Sequence, residues 1–562
     1  MKGEKMKKKW FSKLLSLTLA GIMILSVTAC GNGEDDKKTS APETTKGAEG
    51  TQEEGTTEAE VVGVTYPLNT DKTFTFYSVN VFPAHASLSG REESPFHIKL
   101  VEKTGVDVDW KANPPGASGY TNLDLLLADE KDRPEVWERN SISSNMVNEW
   151  ILDEVILELT DYLPEYAPDF WEYINKPENA DLRKAIIDEE GRFWYIPSFK
   201  ESTYNITYQG PMIRKDWLDE CNLDVPVTMD DMEKVLKAFK DKYGAVFVSS
   251  KSYFKYVGFC AGTDAMVGHI YGTYVDDNGK IQCANVQPEW KAYIEYLARW
   301  YDMGLIDLDI FTADNTMVRQ KVADNKTGVV FSAMSQLSTF VADARESGSS
   351  AEWIGMEYLR TAAGEPTSMI QTAASRYDNL GNIFLNSKID EEKIPLVLNW
   401  INYFFTEEGN DYTNFGEEGV TYTKDAEGNI QWTELITGDP LGQSAALAKY
   451  TGFTGVGIGI QREAFVKAKN EKVAADAVYK WIENTEGMKH SVPKLSYTEE
   501  EVEQYKDRQS VIKKYVEEAA LKFITGEKSL DEFDAFVAEL DKLGLQEVLK
   551  AFQSAYDRYM AK

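Results

Sequence analysis

Ninety-two acidic residues and only four histidines limit the chemistry open to this chain of 562 residues. His85, His97, His269 and His490 fall into no HExxH or comparable ligand spacing, so no catalytic zinc is expected. The run GVGIGI at Gly455–Ile460 lacks the G-x-G-x-x-G spacing of a dinucleotide turn. Neither a phosphate-binding G-x-x-x-x-G-K-[ST] loop nor a G-x-S-x-G nucleophile turn occurs. Two carboxylates suffice to hydrolyse a glycoside, and so many acids keep a secreted, glycoside-hydrolase-like enzyme open as an alternative. Two turns, Asp276-Asp277-Asn278 and Asp425, Glu427 and Asn429, gather oxygens as a calcium loop would, but neither has the distant glutamate. Solvated Asp/Asn-Gly turns account for both, and no cofactor is expected. The remaining chemical signal is aromatic: 13 Trp and 29 Tyr, several of them beside Arg, Asp or Asn.

The first thirty residues address the chain. Met1–Lys13 carries six lysines and one glutamate, Leu14–Ala29 is apolar or small, and Cys30 follows Val27-Thr28-Ala29. A basic start, a short apolar run and small residues before a cleavage point make a secretory signal over 1–29. The run is short for a membrane span, which needs about 20 residues. Cys30 at its end resembles the lipidated cysteine of bacterial lipoproteins, whose acyl chains would hold the protein at a membrane surface. Residues 30–62 contain almost no large apolar side chain and read as a disordered tether. The net charge of −32 excludes nucleic acid as a partner and disfavours a highly acidic ligand. Beyond Cys30 stand only Cys221, Cys260 and Cys283, so at most one disulfide can form among them.

Strands alternate with helices over most of the chain. TFTFYSVNV from Thr73, Val106 to Trp110 and Pro134–Trp137 read as strands, with helices over Ser94–Thr104 and Leu123–Ala128 between them. Further on, Thr228 and Asp231 stand at capping-box spacing before a helix running to about Asp241, and Trp290–Gly304 has helical spacing. TGVVFS at Thr327–Ser332 and NIFLN at Asn382–Asn386 are strands, the second followed by a helix over Asp390–Phe405. This grammar predicts α/β lobes around mainly parallel sheets, with ligands at the strand ends. The last hundred residues are helical, with capping boxes at Thr498/Glu501 and Ser529/Glu532 and apolar faces such as Leu530, Phe533, Phe536 and Leu540.

Four stretches carry a resemblance. They are MIRKDWLDECNLDVP at Met212–Pro226, WYDMGLID at Trp300–Asp307, FFTEEGNDYTNFGEEGVTYTK from Phe404 to Lys424, and the closing helices over Phe523–Tyr559. Together they resemble the extracellular solute-binding lipoproteins of bacterial ABC-type oligosaccharide importers, a family with the maltose-binding-protein type of fold, and within it the large Gram-positive lipoproteins. Pro134-Glu135 departs from the Pro-Asp often found in the family after the second helix. The resemblance implies a two-lobed α/β fold of the periplasmic-binding-protein type (type II), with hinge strands between the lobes and a helical C-terminal region. It places the first lobe at 63–205, the second at 206–376, a return to the first at 377–450 and C-terminal helices on both at 451–562. The implied role is capture of an oligosaccharide in the interlobe cleft by a monomer anchored on the outer face of the cell membrane. The partners would be the ABC permease transmembrane subunits, and the chain itself would catalyse nothing.

A sugar ring offers a C–H face to an aromatic ring and a belt of hydroxyls to planar polar groups. Aromatic residues beside such groups at strand ends and crossings are therefore the candidates. They are Tyr77 and Asn80; Trp137 and Arg139; Tyr204, Tyr208, Arg214, Asp216 and Trp217; and Arg376, Tyr377 and Asn379. Trp432 and Tyr450 lie in later loops as reserves. Each aromatic suits core packing equally well, because large aromatics are mostly buried. A surface adhesin would share the leader and tether without needing a closing cleft.

Overall fold

Phe74, Phe76 and Ser78 share one face of a strand and Tyr77 and Val79 the other, and all five are buried, so both faces of the sheet are covered. The computed structural model describes residues 63–79, 88, 90–113, 119–140, 142–250, 260–263, 272–362, 376–452, 457–485 and 487–562. The leader, Cys30, the tether and Asn80 lie outside the described residues. In chain order the strands are β1 (Thr75–Ser78), β2 (Asp109–Ala112), β3 (Val136–Arg139), β4 (Ile196–Lys200), β5 (Gln209–Arg214), β6 (Val248–Ser249), β7 (Thr273–Val275), β8 (Ile281–Cys283), β9 (Val329–Ala333), β10 (Trp353–Gly355), β11 (Tyr377–Leu385), β12 (Tyr422–Lys424), β13 (Ile430–Trp432) and β14 (Ile460–Gln461).

Two sheets organise the fold. The first has the order β14-β4-β11-β3-β1-β2, the second β10-β5-β9-β6, and β7-β8 and β12-β13 are separate hairpins. Each sheet has its own core. Phe76, Trp137, Phe199, Phe384 and Trp400 lie in the first; Met212, Phe239, Trp300, Phe331 and Trp481 lie in the second. The chain passes from the first core to the second between Phe199 and Tyr204, returns between Leu359 and Tyr377, and leaves again between Ile458 and Ala474. In each sheet a single strand breaks the expected parallel run: β2, β1, β3, β4 and β14 point one way in the first, and β10, β9 and β6 point one way in the second. β1 runs parallel to β2 and β3, but β11 runs antiparallel to both β3 and β4, and β5 antiparallel to β9 and β10. The cause is topological: β5 and β11 are each the first strand after a crossing, so they enter their sheets from the edge where the parallel strands end. Between Asp378 and Ile383 the register of β11 slips, and Gly381 there has φ 74°. Its N–H donates to Asn140 Oδ1 at 2.7 Å, and a Cβ would stand 2.9 Å from Gly457 O.

The capping signals mark real helix starts. Thr228 and Thr498 each accept from the N3 backbone while Asp231 and Glu501 return the bond, ahead of helices Met229–Tyr243 and Glu499–Ile524. The expected helix at Leu123 begins earlier, at Gly119, and ends at Leu127. Both acidic turns are closed on themselves. Asp276 accepts from the Asn278 and Lys280 amides and from Gln282 Nε2, and Asp425 accepts from Glu427, Asn429 and Gln431. N–H groups thus occupy the carboxylates a calcium ion would need. Cys221 and Cys283 are free thiols, and burial pushes the Cys283 thiol up to about 11.

The C-terminal region is docked unevenly. Trp481, on the helix Lys472–Ile482, seats its ring against Gly210 of β5 and donates Nε1 to Pro211 O at 3.2 Å. Phe523, Phe536 and Phe552 pack into the second core. Toward the first lobe it makes hydrogen bonds: Arg558 to Glu189 at 2.8 Å, Lys562 to Ile187 O at 3.0 Å, and Ser144 to Leu495 O at 3.1 Å. Lys494 joins them, donating to the hydroxyls of Tyr377 at 2.9 Å and Tyr195 at 3.3 Å. Burial, helped by the charge of Lys562, brings its ammonium down to about 7.

Gly210→Ala would drive a methyl into the Trp481 ring, 2.5 Å away, and should destabilise the protein by about 1–3 kcal/mol. A denaturant midpoint equal to wild type contradicts that packing. For Lys494, the folded chain releases the proton more readily than the unfolded chain. Its charge therefore costs stability below about pH 7 and less as pH rises toward the ordinary lysine range. Lys494→Met should gain most over wild type near pH 6 and least near about pH 9. A difference in midpoint that does not vary with pH contradicts the burial of that ammonium.

Candidate functional site

Strand direction fixes which edge can serve as a site. In the first sheet β1, β2 and β3 end together, and β11 starts at that same edge, with Asn382 opposite Arg139 and Tyr377 opposite Phe199 of β4. In the second sheet the ends of β6 and β9 lie beside the start of β5, with Gln209 opposite Ala333. β4 ends at Lys200 and β5 begins at Gln209, so the short helix Thr203–Ile206 brings these two edges next to each other. Strand C-termini are where open α/β sheets bind ligands.

At the first edge, Tyr77 lies opposite Trp137 and Lys111 in the ladder, its ring buried in the first core and its hydroxyl held by two amides. That hydroxyl donates to Asn113 Oδ1 and accepts from Asn122 Nδ2 at 2.6 Å. Next to it Arg139, the last residue of β3, pairs with Asp124. Its guanidinium lies over the ring of Tyr120, 4.5 Å from the centroid, and 5.8 Å from that of Trp150. The helix Gly119–Leu127 supplies Tyr120, Asn122 and Asp124 from its first turns. The result is an array of one aromatic face, two amides, a phenol and an ion pair. Asp124 is half exposed, while Arg139 is held almost wholly in. Beneath it a buried cluster fixes the strand ends. Arg91 donates to Ser78 Oγ at 2.7 Å, and Ser78 donates to Glu138. Burial lowers the Arg91 guanidinium and Glu138 counters it, while burial takes His97 down to about 3, so that ring is neutral.

The crossings are stitched together beside this edge. Glu201 N donates to Gln461 O at 3.0 Å, Asn205 Nδ2 to the same oxygen at 3.0 Å, and Lys200 N to Arg376 O at 2.8 Å. Glu463 accepts from Ser202 at 2.7 Å and Tyr479 at 2.8 Å. Burial pushes its carboxyl up, but Lys467, Ser202 and Tyr479 outweigh burial and hold it below its usual value.

The other sequence candidates divide by location. Tyr208 sits at the second sheet's edge, partly exposed, with its carbonyl accepting from Met334 N. Tyr377 is at the first edge but buried, its hydroxyl donating to Asn382 Oδ1 at 2.8 Å. Arg376 is spent on the crossing, donating to Glu201 O, Glu178 O and Asn179 Oδ1. Asn379 lies in β11, its side chain outside the description. Trp137 is fully buried between Phe384, stacked at 5.9 Å, and Trp150, edge-on at 6.0 Å, which leaves no ring face for a ligand. Tyr204 packs in the crossing, its hydroxyl on Ala475 O at 2.9 Å. Arg214, Asp216 and Trp217 are at the far end of β5. There Arg214 pairs with Asp216 at 2.6 Å, and Trp217 is held between that guanidinium at 4.3 Å and Tyr243 at 4.1 Å. Trp432 and Tyr450 support a small separate core around Phe415 and Phe465. The groups at this edge that the sequence reading did not single out are Asn113, Tyr120, Asn122 and Asp124.

Comparison with known proteins bears on the fold and the family. The chain is 24% identical, over 99% of both chains, to the fructooligosaccharide ABC transporter substrate-binding protein FusA of Streptococcus pneumoniae. It is 22% identical to the polygalacturonan/rhamnogalacturonan-binding protein YtcQ of Bacillus subtilis, over 82% of this chain and 87% of that one. A solved solute-binding protein of Bifidobacterium longum infantis, described as binding HMO and associated with an ABC transporter, superposes with a TM-score of 0.68 at 20% identity, covering 87% of this chain and 99% of that one. The fold is thus the two-lobed fold of such proteins. The family model described as bacterial extracellular solute-binding protein matches residues 95–411, more than half of the sequence, and the chain belongs to that family.

Proposed function

We propose that this protein captures an oligosaccharide outside the cell, between the two strand-end edges, and delivers it to the membrane subunits of an ABC importer without altering it. The observation that carries this reading is the array of Tyr77, Asn113, Tyr120, Asn122 and Arg139 at the end of the first sheet, beside stitched crossings. An aromatic face with amides and a fixed guanidinium is the equipment a sugar needs. A ligand touching both edges would favour the closed arrangement of the lobes, because only that arrangement makes both sets of contacts. The names of FusA and YtcQ support the ligand class, and that of FusA supports the importer.

The anchor belongs to the same proposal. The leader and Cys30 would leave a monomer lipidated on the outer face of a Gram-positive membrane, with 30–62 as its tether. Cys30→Ala should move the protein from the membrane fraction to the medium, and retention in the membrane contradicts lipidation.

The binding reading is tested by titration calorimetry and a reducing-end assay on a panel of oligosaccharides. Binding at about micromolar affinity, near −8 kcal/mol, with no new reducing ends is the expected result. Turnover would move the chain to the glycosidase alternative. With a bound sugar, Tyr120→Ala or Arg139→Ala should weaken affinity about five- to tenfold, roughly a stacking contact or a hydrogen bond, with little loss of fold. Trp137→Ala should act the other way, costing about 3–5 kcal/mol of stability. Unchanged affinity in both edge variants removes that array from the site.

A further inference from the structure

We propose that Lys494 is a positioning residue for the sugar edge of the first sheet: from the C-terminal region it holds Tyr377, and through Tyr377 and Asn382 it sets the strand end that carries Arg139. This deepens the sugar-binding reading and rests on it.

The link is a row of hydrogen bonds through the buried Tyr377 and Asn382. Lys494 Nζ donates to Tyr377 Oη at 2.9 Å, Tyr377 Oη to Asn382 Oδ1 at 2.8 Å, and Asn382 Nδ2 to Arg139 O at 2.9 Å. Tyr377 and Asn382 stand on either side of the register slip in β11. A slip of this kind takes backbone groups out of the regular ladder, so side chains must hold it. The Tyr377 hydroxyl closes it from one end to the other, and Gly381 N, inside it, donates to Asn140 Oδ1 at 2.7 Å. The slip therefore grips residues 139 and 140. Where it settles decides where the Arg139 guanidinium meets Tyr120 and Asp124.

The lysine itself is fastened. Its ammonium also donates to Tyr195 Oη at 3.3 Å, and it lies 4.6 Å from the ring centroid of Tyr377 and 5.4 Å from that of Tyr195. The residues after it are tied on both sides: Leu495 O accepts from Ser144 Oγ at 3.1 Å, and Ser496 O from Arg558 at 2.9 Å. The segment joins the helices Lys472–Ile482 and Glu499–Ile524, which place Trp481 and Phe523 in the second core. Lys494 thus carries a contact of the second lobe to the edge of the first. A methionine would fill similar space without a charge that burial and Lys562 both disfavour. What the lysine adds is the pair of N–H bonds to the phenols.

The test is calorimetry with an oligosaccharide that wild type binds, beside denaturant midpoints at about pH 7. Lys494→Met should bind it about five- to tenfold more weakly, with a midpoint equal to or above wild type, so that affinity falls without loss of stability. Tyr377→Phe keeps the ring and drops the hydroxyl. It should lose affinity to a similar degree, and adding Lys494→Met to it should cost less than about a further twofold. In an Arg139→Ala background Lys494→Met should likewise change affinity less than about twofold, because it acts through that residue. Wild-type affinity in Lys494→Met, a loss that persists in full in the Arg139→Ala background, or a loss that comes with a lower midpoint overturns the inference and leaves the sugar-binding reading in place. An Arg139→Ala protein that binds like wild type removes the edge array, and this inference with it.

Discussion

The constraint on which the rest depends is where the chain changes cores. It leaves the first sheet at the end of β4 and enters the second at the start of β5, with eight residues between, so the strand-end edges of both sheets are held next to each other. The backbone groups exposed by that crossing must find partners, and they find them in the third crossing. Gln461 O takes both Glu201 N and Asn205 Nδ2, and Glu463 N donates to Glu201 Oε2 at 2.7 Å. An unpaired buried amide would cost about 1–3 kcal/mol, so this stitching fixes where the lobes join while leaving each core whole. A few hydrogen bonds at a junction can pivot; two separate apolar cores cannot merge without rebuilding both.

The same arrangement explains why the groups proposed to bind stand where they do. Strand ends at Tyr77 and Arg139 are rigid because Ser78, Glu138 and Arg91 are locked below them and Trp137 is locked in the core. The helix Gly119–Leu127 then sets Tyr120 against Arg139. A ring and a guanidinium held by packing lose little rotamer freedom when a ligand arrives, which is how a small array can give useful affinity. The C-terminal helices sit on the second lobe through aromatic packing and reach the first through polar contacts such as Arg558 with Glu189. Polar contacts of that kind exchange for water at low cost, so this seam is compatible with lobe movement.

Much of the local structure was legible in the sequence because caps and periodicity are local physics. Thr228, Thr498 and Ser529 mark helix starts through bonds made within four residues. The family was legible from short runs spread along the chain. The site was legible only in part, because strand direction is a tertiary property. Arg214, Asp216 and Trp217 satisfy every local criterion for a ligand cluster, yet β5 runs away from the crossing and carries them to the far end. Trp137 and Arg139 share a strand and a face, and only the covering by Trp150 and Phe384 separates core from edge. Tyr120 and Asn122 precede the apolar run at Leu123–Ala128 that reads as the helix, and Asp124 sits inside that run. The signal was there in the Gly119-Tyr120-Thr121-Asn122 start, which follows the Pro114-Pro115-Gly116 run in the sequence.

The central claim is that two separately packed lobes close on a sugar at their shared edge. Small-angle scattering of the protein, with and without a saturating oligosaccharide whose binding calorimetry has established, tests it most directly. The account predicts a smaller radius of gyration and a shorter maximum dimension in the bound state. Superimposable profiles at full occupancy would mean that the lobes do not move on the ligand, and would contradict it.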